Sequence, residues 1–325
     1  MKVEVVILGK DYAMSDGQYV GVGKEKFPSV SVIVPVYNCE AFVGNCIQSL
    51  LNQDYPKDRY EVIFVDNASK DGTANIIKHY PVKYVLEDKV LNSYGARNAG
   101  ARIATGEVLA FCDADQKAAA DWLREIVRPL ESGYVAVVGR MIGEVGGDSV
   151  VAEWCAADLT IDLGEKTREA RVAATCNVLY KRDVFESLGG FEVESPSGAD
   201  FDMSLRVQKA TGKKLAYAHN AIQYHCPIRL SVRRLLRREA RTAYGAEWFG
   251  TQHPEMALSL GNILFAPIKA LCFCMGAILR APFKGEFWCH PIKKVERILL
   301  TMACIFANSY GRLLFRVKSG PGRSW

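Results

Sequence analysis

Five small or apolar residues, Val108-Leu109-Ala110-Phe111-Cys112, run straight into two carboxylates one residue apart, Asp113 and Asp115. An uninterrupted run of this kind reads as a strand covered on both faces, which belongs in the middle of an α/β sheet. Such sheets bind ligands at the carboxyl ends of their strands, where the two acids fall. Neighbouring carboxylates repel, so the pair is costly unless a cation or a polar shell compensates it. Hard divalent cations prefer oxygen ligands, and a metal-diphosphate site fits. The alternative is a solvated Asp-Ala-Asp turn capping a helix expected over 119–131.

The surrounding pattern alternates. Strands are expected at 31–36, 60–66, 82–86 and 108–112, with helices at 40–53, 71–79 and 94–104 between them. Further strands follow at 134–139 and 173–180, and helices at 200–209 and 231–248. This order predicts an α/β fold with a mostly parallel central sheet flanked by helices. A chain of 325 residues with 49% hydrophobic content can fill such a core. Residues 1–28 read as an N-terminal arm with one strand and a Gly-rich turn, 29–250 as the catalytic domain, and 251–325 as a helical region.

Charge and cysteine usage narrow the setting. The net charge is +5, and six arginines crowd between positions 229 and 241. A local excess of this kind favours phosphate or a membrane surface over nucleic acid. Ten cysteines occur without a C-x-x-C pair, as expected of reduced cytoplasmic thiols. The apolar stretch 3–8 is broken by Glu4 and is too short for a signal peptide. In the last 70 or so residues, 256–279 is apolar apart from Asn262 and Lys269, and 298–315 carries Asn308, Ser309 and Arg312. With Arg280, Lys284, Lys293, Lys294 and Arg297 between them, the two segments fit interfacial helices at the inner face of the cell membrane. The other reading is that both pack on the catalytic domain.

Three more motifs close strands on the same rim. Val34-Pro35-Val36-Tyr37-Asn38 ends the first. Val65-Asp66 ends the second, and Asp66 can accept from a base N–H or a ribose hydroxyl, or serve as a turn and cap beside Ser69 and Asp71. Tyr94-Gly95-Ala96-Arg97-Asn98-Ala99-Gly100 sets an arginine among small residues that let a diphosphate approach. His225 closes a later strand, where imidazole can complete a carboxylate metal site. Arg233, Arg237 and Arg241 recur every four residues on one helical face, suited to a diphosphate or an anionic headgroup, or to a solvated face paired with Glu239.

As an ordered set, 34–38, 65–73, 96–100 and 113–115 resemble the GT-A fold glycosyltransferases of family 2, over about residues 29–250. The resemblance implies inverting transfer from a nucleotide diphosphate sugar (UDP-, GDP- or dTDP-sugar) to a saccharide or lipid-linked acceptor in polysaccharide, glycolipid or envelope glycan assembly. It implies Mg²⁺ or Mn²⁺ as cofactor. On its terms Asp66 meets the base, Pro35, Val36, Tyr37 and Asn38 line the nucleoside, and Arg97, Asp113 and Ala114 face the sugar diphosphate. Asp113, Asp115 and His225 hold the metal. Gly189-Gly190-Phe191-Glu192 and Gly198-Ala199-Asp200-Phe201-Asp202 are similar to the family's acceptor-side segment, which makes Asp200 the general base, with Glu192 and Glu194 in reserve. The family often has an acid where this chain has Asn67, and Glu where it has Ala199.

Processive synthases of the same family carry Q-x-x-R-W and several spans, which are not found here. A nicotinamide-type site would need G-x-G-x-x-G after a strand, and Gly21-Val22-Gly23 lacks the third glycine. A nucleotide-sugar binding protein without turnover and a nucleotidyltransferase remain the alternatives.

Overall fold

The computed structural model describes residues 4–7, 10–15, 18–22, 27–226, 231–257, 259, 261–263 and 291–318. The N-terminal arm holds three strands, β1 (Glu4–Ile7), β2 (Lys10–Ser15) and β3 (Gln18–Val22), in an antiparallel sheet. One strand was expected. The overlooked signal is Asp16-Gly17 between β2 and β3, a residue pair that two-residue hairpin loops favour.

The main sheet comprises β4 (Val30–Val36), β5 (Tyr60–Asp66), β6 (Lys83–Leu86), β7 (Val108–Cys112), β8 (Gln116–Ala118), β9 (Ala136–Gly143), β10 (Glu169–Ala170), β11 (Asn177–Lys181) and β12 (Leu215–His225). Its order is β10-β12-β9-β11-β7-β4-β5-β6, with β8 pairing β12. Strands β7, β4, β5 and β6 run parallel, β11 enters antiparallel beside β7, and β12 pairs parallel with β9. The chain runs outward from β4 through β5 to β6 and then returns to place β7 on the other side of β4. This reversal opens a crevice between the ends of β4 and β7.

The helices are α1 (Val43–Leu51), α2 (Thr73–Ile77), α3 (Ser93–Ile103), α4 (Trp122–Val127), α5 (Val150–Asp158), α6 (Arg182–Ser187), α7 (Ala199–Thr211), α8 (Val232–Gln252) and α9 (Pro291–Lys318). The helix expected over 119–131 is shorter, because β8 takes the residues after Asp115 and a 3₁₀ turn takes Arg128–Ser132. Asp113 and Asp115 therefore do not cap it.

Strand pleating divides the core into two layers. Val32, Val34, Phe64, Ala110 and Cys112 face α1 and α4 with Ile47, Leu50 and Trp122. Ile33, Ile63, Val65, Leu109 and Phe111 face the other side with Ala96, Tyr180, Phe185, Phe191 and Met203. Helix α3 lies close on this second face because Gly100 has no side chain, and a Cβ there would stand 2.5 Å from Ile33 Cγ2 and 3.0 Å from Val65 Cγ2. Gly100→Ala is expected to cost about 1–3 kcal/mol by overpacking. A lower urea midpoint at unchanged slope checks this, and an unchanged midpoint counts against the close approach.

At the C-terminus, α9 runs alongside α8. Gly311 sits over the backbone of Ala240, where a Cβ would meet the carbonyl oxygen at 2.0 Å. Arg312 Nη1 reaches Glu247 Oε1 at 2.8 Å, and Tyr244 meets Phe315 edge-on at 4.9 Å. Segment 298–315 thus packs along one face on α8. Segment 256–279 lies, beyond Ile263, outside the described residues. Among the described residues no helix is long and apolar enough to cross a membrane.

Candidate active site

Helix α3 delivers Arg97 to the crevice. Its first turn is capped by Asn92, whose side chain accepts from Gly95 N at 2.8 Å. Arg97 is nearly buried and forms an ion pair with Asp113, while its Nε has no partner. A buried guanidinium with an unsatisfied donor costs free energy unless a ligand or water completes it. Asp113 is held from behind, where its backbone N donates to Gln116 Oε1 at 3.1 Å.

The second acid has a different partner. Register pairs Gln116 with His225 across β8 and β12, which brings Asp115 beside the imidazole. His225 Nε2 lies 3.5 Å from Asp115 Oδ1, and Nδ1 lies 3.3 Å from the Cys226 carbonyl oxygen. With Nδ1–H donated to that carbonyl, Nε2 offers a lone pair toward a carboxylate oxygen, and two acceptors so placed require a proton or a cation between them. Burial, and then the charge of Asp113, push the Asp115 carboxyl up, while His225 and Arg97 oppose the shift. Among the described residues no three His, Cys, Asp or Glu are grouped to hold a metal by themselves. One carboxylate and one imidazole nevertheless suit Mg²⁺ or Mn²⁺ when substrate oxygens complete the shell. Asp113, expected beside them, is turned to Arg97.

Asp200 stands in the first turn of α7, after Gly198, whose φ of 92° is accessible to glycine at little cost. Its carboxylate accepts from Thr175 N at 3.3 Å and Phe201 N at 3.1 Å. Burial nevertheless raises its pKa, the two backbone bonds and Arg97 only partly offsetting it. Tyr94 Oη accepts from Gly198 N at 3.0 Å, and burial followed by the Asp200 charge pushes its phenol up to about 12. The Cys176 thiol is raised chiefly by burial, with the charges of Asp113 and Asp200 adding to the shift. Glu192 and Glu194 are exposed on the preceding loop.

The nucleoside side of the crevice is more committed to the fold than expected. Asp66 is 2% exposed; its Oδ1 accepts from Ser69 N and its Oδ2 from Tyr84 Oη, both at 2.9 Å. Asn67 donates to the carbonyls of Glu87 and Val90. Asn38, at a φ of 52°, pins the neighbouring loop by accepting from Lys70 N at 2.8 Å and donating its own N–H to Ser69 Oγ at 3.0 Å. Val36 and Ala114 put their side chains into the core, leaving only backbone toward the crevice. Tyr37 is 54% exposed and Pro35 half-buried.

Several supporting residues were not singled out from the sequence. Asn98 clamps Phe191 by its N–H at 2.9 Å and its carbonyl at 2.8 Å. Arg206 reaches the carbonyls of Leu188 and Gly190 and pairs with Asp202 at 2.7 Å. His253 Nε2 closes on the same Asp202 at 3.0 Å. Only the Asp202/Arg206 pair had a readable signal, its i, i+4 spacing.

Comparison with known proteins agrees with this architecture. The family profile "Glycosyl transferase family 2" matches residues 31–189. The chain is 34% identical over 211 residues to glycosyltransferase AglE of Haloferax volcanii, covering 61% of this chain and 67% of that protein. It is 26% identical over 235 residues, 67% of this chain and 72% of the relative, to the dolichyl N-acetyl-alpha-D-glucosaminyl phosphate 3-beta-D-2,3-diacetamido-2,3-dideoxy-beta-D-glucuronosyltransferase of Methanococcus voltae. Among solved structures, the mannosyltransferase PcManGT of Pyrobaculum calidifontis, in complex with GDP-Man and Mn²⁺, superposes with a TM-score of 0.65 at 22% identity, covering 89% of this chain and 88% of that one. The GT-A arrangement is shared with it. The chain belongs to glycosyl transferase family 2 and is a nucleotide-sugar-dependent glycosyltransferase.

Proposed function

We propose that the protein transfers one sugar, with inversion, from a nucleoside diphosphate sugar to a hydroxyl of a saccharide or lipid-linked acceptor at the inner face of the cell membrane. The observation that carries the reading is the different partner given to each of three acids. Asp113 is neutralised by Arg97, Asp115 faces His225, and Asp200 stands apart with a raised pKa. In this scheme Pro35 and Tyr37 flank the nucleoside, and Arg97 lends its charge to the donor diphosphate. Asp115 and His225 would hold a divalent cation, which would neutralise charge on the leaving diphosphate. Asp200 takes the acceptor hydroxyl proton as that oxygen bonds to the anomeric carbon. The bond from that carbon to the diphosphate oxygen breaks, and nucleoside diphosphate leaves. The glycan acceptor named for the Methanococcus voltae relative supports a lipid-linked acceptor here.

A panel of UDP-, GDP- and dTDP-sugars with Mn²⁺ tests the proposal. One donor is expected to raise the thermal midpoint of the full chain in the presence of metal, since a ligand binding only the native state stabilises it. With acceptor, nucleoside diphosphate is released. Release of pyrophosphate would instead make the protein a nucleotidyltransferase, and binding with no release under any acceptor a nucleotide-sugar binding protein.

A further inference from the structure

Helix α9 carries two apolar stripes, and packing on α8 uses only one of them. Leu300, Cys304, Gly311 and Phe315 are buried, the first two in a cluster with Leu235 and Cys155. The other stripe, Leu299, Phe306 and Tyr310, is 60%, 53% and 61% exposed. Its spacing of seven and four residues keeps it on one helical face. Phe306 and Tyr310, with Val232 and Leu236 of α8, wall an open groove of about 710 Å³. Exposed apolar side chains gathered in this way mark an interaction surface.

The rim of that groove is cationic. Arg233 and Arg237 line it, and Arg241 follows one turn further along. All three are exposed, and none is in an ion pair with an acidic side chain among the described residues. Arg238, by contrast, is held by Asp158 and Glu239. A second copy of the chain docked by two-fold symmetry would set one arginine ridge near another, which is unfavourable. An anionic bilayer complements both features, because amphipathic helices with basic rims lie at the boundary of headgroups and acyl chains.

We propose that the α8–α9 groove docks the enzyme on an anionic lipid surface, Phe306 and Tyr310 entering the interface and Arg233, Arg237 and Arg241 meeting the headgroups. The same helix braces the catalytic loop at its other end, where Gly245 lies so close to Ser197 that a Cβ would stand 2.4 Å from the serine Cβ. Docking through α8 therefore holds the segment before Asp200 near the bilayer, a placement whose purpose rests on the lipid-linked acceptor proposed above.

The test is flotation of the full chain with vesicles of phosphatidylcholine alone or mixed with phosphatidylglycerol. Binding is expected to the anionic vesicles only, and to weaken with salt. Each basic residue near such a surface contributes about fivefold, so Arg233→Gln with Arg237→Gln lowers the affinity about twenty-five-fold. Phe306→Ser with Tyr310→Ser also lowers it. Thermal midpoints and Mn²⁺-dependent UDP and GDP binding without vesicles stay unchanged in both variants, which separates lost docking from lost fold or donor site. Wild-type protein that ignores anionic vesicles, or variants that float as well as wild type, overturn the proposal. So does a dimer, detected by light scattering, that Phe306→Ser with Tyr310→Ser dissolves. Sugar transfer to a water-soluble acceptor is measured separately, so the transferase reading stands or falls on its own.

Discussion

Asp200→Asn is expected to leave donor binding intact and lower turnover by about 10² to 10⁴, the usual contribution of a positioned general base. Asparagine keeps the shape, but Thr175 N donates to one carboxylate oxygen and Phe201 N to the other, so the single amide oxygen of asparagine can keep one of these bonds. Basicity is lost together with one backbone bond, so the thermal midpoint is measured beside turnover to separate the two. The pH profile supplies a second readout. Burial raises the Asp200 pKa, so the active carboxylate form is depleted as pH falls through a value above the ordinary aspartate range near about 3.9. The acidic limb of kcat/KM in wild type lies above that range and is absent from the residual activity of Asp200→Asn. Transfer near the wild-type rate in the mutant would move the base to Glu192 or Glu194, which are exposed on the loop before α7.

The central parallel strands β4, β5 and β7 were readable because most of their residues are buried on both faces. For such strands the sequence pattern and the final environment coincide: 60–66 and 108–112 match β5 and β7 at both ends. Helix ends were less legible. The expected 40–53 begins at Val43, because residues 40–42 form the turn that Cys39 O closes with Phe42 N and Val43 N. The antiparallel insertion of β11 between β7 and β9 is a long-range pairing without local signal. In the site, acids at strand ends declared themselves, but their partners did not. The Arg97–Asp113 pair spans 16 residues, the Asp66–Tyr84 bond 18 and the His253–Asp202 contact 51. Nothing in the strand-end motif distinguishes an acid that keeps its oxygens for a ligand from one that, like Asp66, gives both to its own fold.

Asp115→Ala is expected to abolish the metal-dependent part of donor binding. Mg²⁺ sits at about 2.0–2.1 Å from its oxygens and is usually held by one or two carboxylates plus substrate phosphates. In the proposed metal site, with Asp113 occupied by Arg97, Asp115 would be the acid left for the cation, and its loss would leave His225 alone on the protein side. Removing an outer-shell partner costs about 10- to 100-fold in metal affinity, so loss of the carboxylate itself is expected on the order of 10³. Calorimetric titration of UDP and GDP with and without Mn²⁺ measures it without depending on turnover. The weak metal-free affinity of Asp115→Ala stays near wild type, since Arg97 is untouched. The ligand must be deprotonated, and burial raises the Asp115 pKa, so the Mn²⁺-dependent increment in wild type fades as pH falls and returns as it rises. An Asp115→Ala protein that keeps the full Mn²⁺ increment would take Asp115 out of the metal site and return the role to Asp113, released from Arg97 when donor binds.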